Sequence, residues 1–325
     1  MNRWLLRLFL VAFFLAAFTY ECPAPLIYKP GEGWTYEKVG SKGKWQRGRA
    51  QDQLGVAQES FDQKDYNTSL KAARRTVSQW PLSDYAPHAQ YLIGRCHEAK
   101  KQDQIAFDDY QKLIEKYPKI DNYQEVLERQ FIITTRFLNG QWFKLWGYIP
   151  FFPSMDKTSD MYEKIIKNGP YGDFGPKAQM NIGAAREKQS DYPKAVKAYE
   201  TAADRYNDQP KVATEALYKK GLAYNKEAKT SEYDQNVAGQ AIATFMDFVT
   251  LYPEDEHVTD AQKRIETLKT EQARGSFEIA RFYEKKRRWD GALIYYNEVL
   301  IKDPNSKYAT EARERIDTLK KRAKK

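Results

Sequence analysis

A proline recurs twelve residues after a small residue at four places in this chain. Ala106–Pro118 reads AFDDYQKLIEKYP, Ala241–Pro253 reads AIATFMDFVTLYP and Ala292–Pro304 reads ALIYYNEVLIKDP; Ser69–Pro81, SLKAARRTVSQWP, has serine in place of alanine. The apolar positions between them follow a helical period, so each stretch reads as an amphipathic helix stopped by its proline. Self-similarity with a period of roughly 35 residues is the mark of stacked helical hairpins. Such a stack buries each hairpin against its neighbours and leaves an extended surface suited to holding other molecules.

The preceding helices carry matching marks. Gly94 stands twelve residues before Ala106, with Tyr91, Ile93 and His97 beside it; small residues are needed at both positions because the two helices of a hairpin cross closest there. Gly183 pairs with Ala195 ahead of Tyr199, Gly221 with Ala241 ahead of Phe245, and Ala280 with Ala292 ahead of Tyr296. Gly221 and Ala241 are twenty apart, which places an insertion of about eight residues near 225–236. In the fourth unit the closing proline is displaced to Pro210. Leu54, Ala57 and Phe61, then Leu70, Ala73 and Val77, mark the first hairpin across the turn Lys64-Asp65-Tyr66. A final helix at 307–321 caps the array with a polar face. The fold class that follows is all-α: a tetratricopeptide-repeat solenoid of about five to six hairpins over 50–325, with a C-terminal capping helix.

The third hairpin is interrupted. A first helix at 123–138 is followed by 139–154, NGQWFKLWGYIPFFPS, before a second helix at 157–167. Trp142, Phe143, Trp146, Tyr148, Phe151 and Phe152 crowd this insert, and Gly140, Gly147, Pro150 and Pro153 exclude one regular helix. Two readings stand: a plug over the end of its own hairpin, or an exposed apolar patch that meets a partner or a membrane interface.

Residues 1–21 read as an export signal: Arg3 and Arg7 precede eleven unbroken apolar residues, Leu8–Phe18. That run suits a signal-peptide core better than a membrane span of about 20 residues, the other reading being an uncleaved anchor. Cys22 follows directly and is a candidate for lipid attachment, although Thr19, Tyr20 and Glu21 fit a lipidation box poorly; otherwise it is an ordinary cysteine. Residues 22–49 show no sustained period and read as an extended tether, packing locally through Trp34, Tyr36 and Trp45.

The formal charge is +9, from 53 Lys and Arg against 44 Asp and Glu, spread over nearly every helix. Lys285-Lys286-Arg287-Arg288 precede Trp289 at a hairpin turn and a basic run closes the chain; they read as solvated turn and tail, or as contacts for anionic head groups or an acidic partner. An exported chain excludes nucleic acid as partner. No catalytic set can be named: His88, His97 and His257 are scattered, Cys96 and His97 diverge as helix neighbours, and Gly169, Gly172 and Gly175 lack the lysine and flanking strand of a phosphate loop. The pair Asp108-Asp109 reads as a solvated helix face. No metal, no cofactor and no enzyme activity is expected.

With these residues in hand, the chain resembles the outer-membrane assembly lipoproteins of the BamD (YfiO) family. The resemblance covers roughly 50–319 and is most specific at Tyr252-Pro253, Asp260-Ala261 before Arg264 and Leu268, Glu278-Ile279-Ala280, Tyr283 and Trp289. It implies a non-enzymatic scaffold on the periplasmic face of the outer membrane. Its N-terminal hairpins would receive extended segments of unfolded outer-membrane proteins, and its C-terminal hairpins would dock the barrel-assembly subunit, with Arg264, Lys263 and Arg274 as docking residues. The weak lipidation box, the aromatic insert and the long tether depart from the family. Alternatives are a periplasmic coordinator of envelope or cell-division machinery, disfavoured because the tether lacks heptads, and a secretion-system accessory scaffold. An inner-membrane-anchored placement facing the periplasm goes with the anchor reading.

Overall fold

The computed structural model describes residues 26–29, 33–36, 45–145, 149–230 and 235–323. The signal segment, Cys22 and Trp146 lie outside the described residues. The described chain is an all-α tetratricopeptide-repeat solenoid with thirteen helices, falling into two compact units, Met1–Ile133 with Lys144–Phe151 and Thr134–Phe143 with Phe152–Lys325.

The first unit holds two complete hairpins, α1 (Ala50–Asp62) with α2 (Tyr66–Gln79) and α3 (Tyr85–Ala99) with α4 (Asp103–Lys116), then most of α5 (Tyr123–Leu138). The second unit continues with α6 (Met155–Asn168), the hairpin α7 (Gly175–Lys188) and α8 (Tyr192–Arg205), and the hairpin α9 (Pro210–Thr230) and α10 (Gln235–Leu251). It ends with α11 (Val258–Lys285), α12 (Trp289–Lys302) and α13 (Lys307–Ala323). Strands β1 (Leu26–Lys29) and β2 (Gly33–Tyr36) form an antiparallel pair within the stretch expected as an extended tether. Strands β3 (Phe143–Leu145) and β4 (Ile149–Phe152) form a second two-stranded sheet within the aromatic insert.

The hairpins close on one repeated contact. A methyl group on Gly94 would lie 2.5 Å from Tyr110 Cε1, on Gly183 2.3 Å from Tyr199 Cε1, and on Gly221 2.7 Å from Phe245 Cε1. The partner alanines Ala106, Ala195, Ala241 and Ala292 are fully buried, as is Ala280, which stands at the glycine position of the last hairpin. The same ring is fixed from its far end: Tyr110 donates to Glu98 at 3.0 Å, Tyr199 to Glu187 at 2.9 Å and Tyr296 to Glu284 at 2.7 Å, each twelve residues back. Burial, together with the adjacent glutamate, pushes all three phenols above their ordinary pKa.

The turns repeat as well. Lys64, Lys101, Ser190 and Arg287 each adopt a left-handed backbone, with φ of 62°, 56°, 59° and 57°. In each, the next amide bonds back to a carbonyl five residues earlier, as in Gln102 to His97 at 2.9 Å. Gly140 (φ 100°) ends α5 in the same manner, so the insert begins just after a regular hairpin turn.

Three details differ from expectation. Pro210 opens α9, where its missing N–H is harmless, rather than closing α8, which ends at Arg205. The inserted residues near 225–236 lengthen both the end of α9, which runs to Thr230, and the start of α10, which begins at Gln235; 231–234 lie outside the described residues. Asp109 is buried, 6% exposed, because it stands twelve residues after His97 and bonds His97 Nδ1 at 2.5 Å across the hairpin. Arg74 points a guanidinium nitrogen at His97 Nε2 from 3.2 Å, which leaves Nε2 to accept and Nδ1–H to donate to Asp109. Cys96, fully buried, is a small core residue beside Ser69.

The repeated contacts give two stability expectations. Gly94→Ala should cost about 2 kcal/mol in denaturant unfolding, because the Tyr110 ring must leave its place. Lys101→Gly should instead stabilise by about 1 kcal/mol, by removing a left-handed strain from a turn that keeps its hydrogen bonds.

Candidate functional site

Helices α1 and α3, the first of each hairpin in the first unit, flank an open groove of ≈ 580 Å³. Leu54 and Phe61 from α1 face Tyr85, Tyr91 and Leu92 from α3, and Gly55 presents bare backbone with nothing within 4 Å of an added methyl. Arg95 lies over the rings of Phe61 and Tyr91, 5.5 and 5.8 Å from their centroids, and donates to the Tyr91 hydroxyl at 3.2 Å. An apolar floor with a few fixed polar groups is the lining expected of a peptide-binding cleft.

A polar clamp braces the groove wall. Tyr91 donates to Glu125, one repeat of 34 residues further on, and Arg129 bonds Tyr91 at 2.8 Å and Glu98 at 3.3 Å. Burial works to raise the Glu125 carboxyl, but Tyr91 and Arg129 together hold it below its ordinary value. The second unit repeats the clamp. Tyr218 donates to Asp260 at 2.5 Å, 42 residues on, and Arg264 bonds the same carboxylate. The extra eight residues are those inserted between Gly221 and Ala241. Arg264 above all, then Tyr218, lowers the Asp260 pKa.

The expected docking residues lie on α11 without converging. Arg264 is engaged in this clamp, Lys263 is exposed beside it, and Arg274 pairs with Glu271 at 2.6 Å. Arg264 and Arg274 stand about 15 Å apart along the helix. What the structure does gather is a cleft of ≈ 540 Å³ at the end of α11, where Arg281, Lys285, Arg287 and Arg315 surround Phe282 and Trp289. The acids at its wall, Glu278 and Glu284, meet Arg281 and Arg315 at 3.5 and 3.8 Å, too long to bind those arginines firmly. Phe282 is 58% exposed. The sequence signalled Lys285 to Arg288 as a basic turn; it held a signal for Arg315 too, 34 residues after Arg281, which period reading passed over.

The aromatic insert divides. Phe143 is buried, stacked on Phe137 at 4.1 Å, and Lys157 covers Phe143 and Phe152 from 5.3 and 5.2 Å. Trp142 and Ile149 are more than half exposed. The side chain of Phe151, like Trp146, lies outside the described residues. Among the described residues no group of three or more His, Cys, Asp or Glu is placed to hold a metal ion, and no helix is long and apolar enough to cross a membrane.

Residues 154–303, which include the walls of the basic cleft up to α12, match the YfiO family, described as an outer membrane lipoprotein; residues 88–119, the α3–α4 hairpin, match a tetratricopeptide-repeat family. The outer membrane protein assembly factor BamD of Caulobacter vibrioides is 24% identical over 157 residues, 48% of this chain and 51% of that protein. The chain spans about half the length of that relative. Among solved structures, a TPR repeats protein (BF2334) from Bacteroides fragilis aligns with 84% of this chain and 98% of its own at 15% identity and a TM-score of 0.39. The TPR protein TTC0263 from Thermus thermophilus aligns with 68% and 98% at 12% identity and a TM-score of 0.31. The chain is a tetratricopeptide-repeat protein similar to BamD.

The clamps predict a pH dependence. Glu125 and Asp260 ionise more readily folded than unfolded, so their stabilisation is complete above the ordinary values of 4.5 and 3.8 and is lost as pH falls through the lower folded values. Glu125→Gln with Asp260→Asn should lower stability at pH 7 and flatten its fall below pH about 4, as read by urea unfolding across pH.

Proposed function

We propose that this protein is a non-enzymatic scaffold of outer-membrane β-barrel protein assembly, working at the periplasmic face of the outer membrane. The observation that carries the reading is the YfiO match over 154–303, joined to a basic, aromatic cleft at the end of the same stretch. No convergent acid, base and nucleophile competes with it among the described residues.

The work divides between the two units. In the first, the groove between α1 and α3 takes extended segments of unfolded outer-membrane proteins: Leu54, Phe61 and Leu92 cover alternate apolar side chains, and Arg95 and Tyr91 bond the chain. In the second, the barrel-assembly subunit docks along α11. Arg281, Arg287 and Arg315 offer planar forks to its carboxylates, and Phe282 and Trp289 supply the apolar anchors. Lys263 and Arg274 extend this contact electrostatically, and Arg264 steadies Asp260 where it accepts from Tyr218 of α9 and so ties the first turn of α11 to that helix. The N-terminal segment, through Cys22 or the apolar run before it, and the exposed Trp142 of the insert hold the assembly to the membrane surface.

Isolation of the native protein from membranes in mild detergent tests this. A barrel-assembly subunit should co-purify in near-equal amount, and Arg281→Glu with Arg287→Glu should reduce its recovery tenfold or more while helix content is unchanged. Native preparations lacking that subunit would overturn the assignment.

A further inference from the structure

One stretch of the first unit recurs in the second without a gap. Residues 91–129 and 277–315 align at a constant offset of 186 residues: Arg95 matches Arg281, Glu98 matches Glu284, Tyr110 matches Tyr296, Glu125 matches Glu311 and Arg129 matches Arg315. The packing agrees. Tyr110 and Tyr296 bond Glu98 and Glu284 alike, and the ring at the first position lies 5.9 Å from Tyr110 in one copy and 5.5 Å from Tyr296 in the other. His97 with Asp109 becomes the stacked pair Tyr283 and Tyr295. The first position itself also differs, being Tyr91 in one copy and Phe277 in the other.

The Tyr91 hydroxyl is the centre of the clamp in the first unit. It donates to Glu125 and accepts from Arg129 at 2.8 Å and from Arg95 at 3.2 Å. Arg129 also meets Glu125 at 3.0 Å and Glu98 at 3.3 Å, and its side chain is 24% exposed. Phe277 brings no oxygen to the matching place; its ring is buried against Tyr296 and Tyr308. Arg315 stands 3.8 Å from both Glu284 and Glu311, is 49% exposed and has no hydrogen bond among the described residues. Arg281 is exposed and meets Glu278 at 3.5 Å. A guanidinium half in water, with its acids out of bonding reach, keeps its fork for an incoming acceptor. Arg281, Lys285, Arg287 and Arg315 outnumber Glu278 and Glu284 on the walls of the cleft, so that acceptor is favoured when it is an anion.

We propose that the residue at this centre decides the use of each copy. The phenol of Tyr91 closes the first into a structural clamp. Phe277 leaves the second open, so that a carboxylate of a docked protein bonds Arg281 and Arg315 in place of the missing hydroxyl. Phe277 is thus the specificity-determining residue of the basic cleft. That the carboxylate belongs to the barrel-assembly subunit rests on the docking reading given above; the open site does not.

Arginine-selective labelling of the full chain with phenylglyoxal, followed by peptide mass, reads each guanidinium separately. Arg315 should label about tenfold faster than Arg129, because a hydrogen bond to a charged group contributes about one power of ten to an opening equilibrium. Phe277→Tyr should slow Arg315 toward the rate of Arg129. The mirror variant, Tyr91→Phe, should speed Arg129 toward the rate of Arg315, with helix content unchanged in both. A hexaglutamate peptide should protect Arg281 and Arg315 in the unaltered chain, and about tenfold more of it should be needed with Phe277→Tyr. Labelling that ignores both substitutions would overturn the proposal, as would equal protection of the two chains. Protection by phosphatidylglycerol vesicles and not by the peptide would also overturn it, by assigning the site to a membrane surface. Recovery of the barrel-assembly subunit with the Phe277→Tyr chain separates the two readings. A fall of about tenfold supports both. Undiminished recovery with the expected labelling leaves the open site standing and removes it from the docking, and labelling that ignores both substitutions removes the open site whatever is recovered.

Discussion

Everything in this chain depends on how closely two helices of a hairpin approach. At Gly94, Gly183 and Gly221 the facing aromatic ring occupies the volume a side chain would need, and at the matching position of the last hairpin Ala280 keeps a fully buried methyl. The ring is large, so each crossing buries considerable apolar area. Where the ring is tyrosine, its hydroxyl reaches a glutamate one turn beyond the crossing and ties the hairpin's two helices together polarly. Phe245 makes the same crossing without that bond, in the hairpin that carries the insertion between Gly221 and Ala241.

From hairpin to hairpin the binding is different in kind. Tyr91 with Glu125 and Arg129, and Tyr218 with Asp260 and Arg264, link the first helix of one repeat to the first helix of the next. These clamps use charge-assisted bonds that are half-buried, where they count for more than exposed pairs. They lie on the same helices that line the groove and the basic cleft. The groove and the basic cleft are therefore positioned by polar contacts, and the hairpins beneath them by packing.

The hairpins were legible because small residue, ring and proline recur at fixed distances, as in Gly94, Ala106, Tyr110 and Pro118. Periodicity carries less about charged residues. Asp109 looked solvated because an acidic pair on an amphipathic helix usually is; its burial depends on His97 and Arg74, which come from other helices. The expected docking residues lie apart for a related reason: a resemblance marks positions in sequence, whereas spatial grouping depends on the helical phase and rise between Arg264 and Arg274. The insert and the tether gave composition without a period, so their strands were missed, although Pro30-Gly31 between LIYK and GWTY is a turn signal of ordinary strength.

Helix α11 belongs to two cores. Ala261, Ile265 and Leu268 pack with α9 and α10, while Ala273, Phe277 and Ala280 pack with α12 and α13. Gln272 and Lys302 add bonds to Gln235 at the start of α10. A solenoid is ordinarily a chain of separable repeats, each free to fray at the end. One uninterrupted rod through two neighbours removes that freedom, so the last two hairpins melt together. Whatever seats itself at the far end of α11 thereby slows amide exchange as far back as α10, and occupancy at the tip is felt in the neighbouring hairpin.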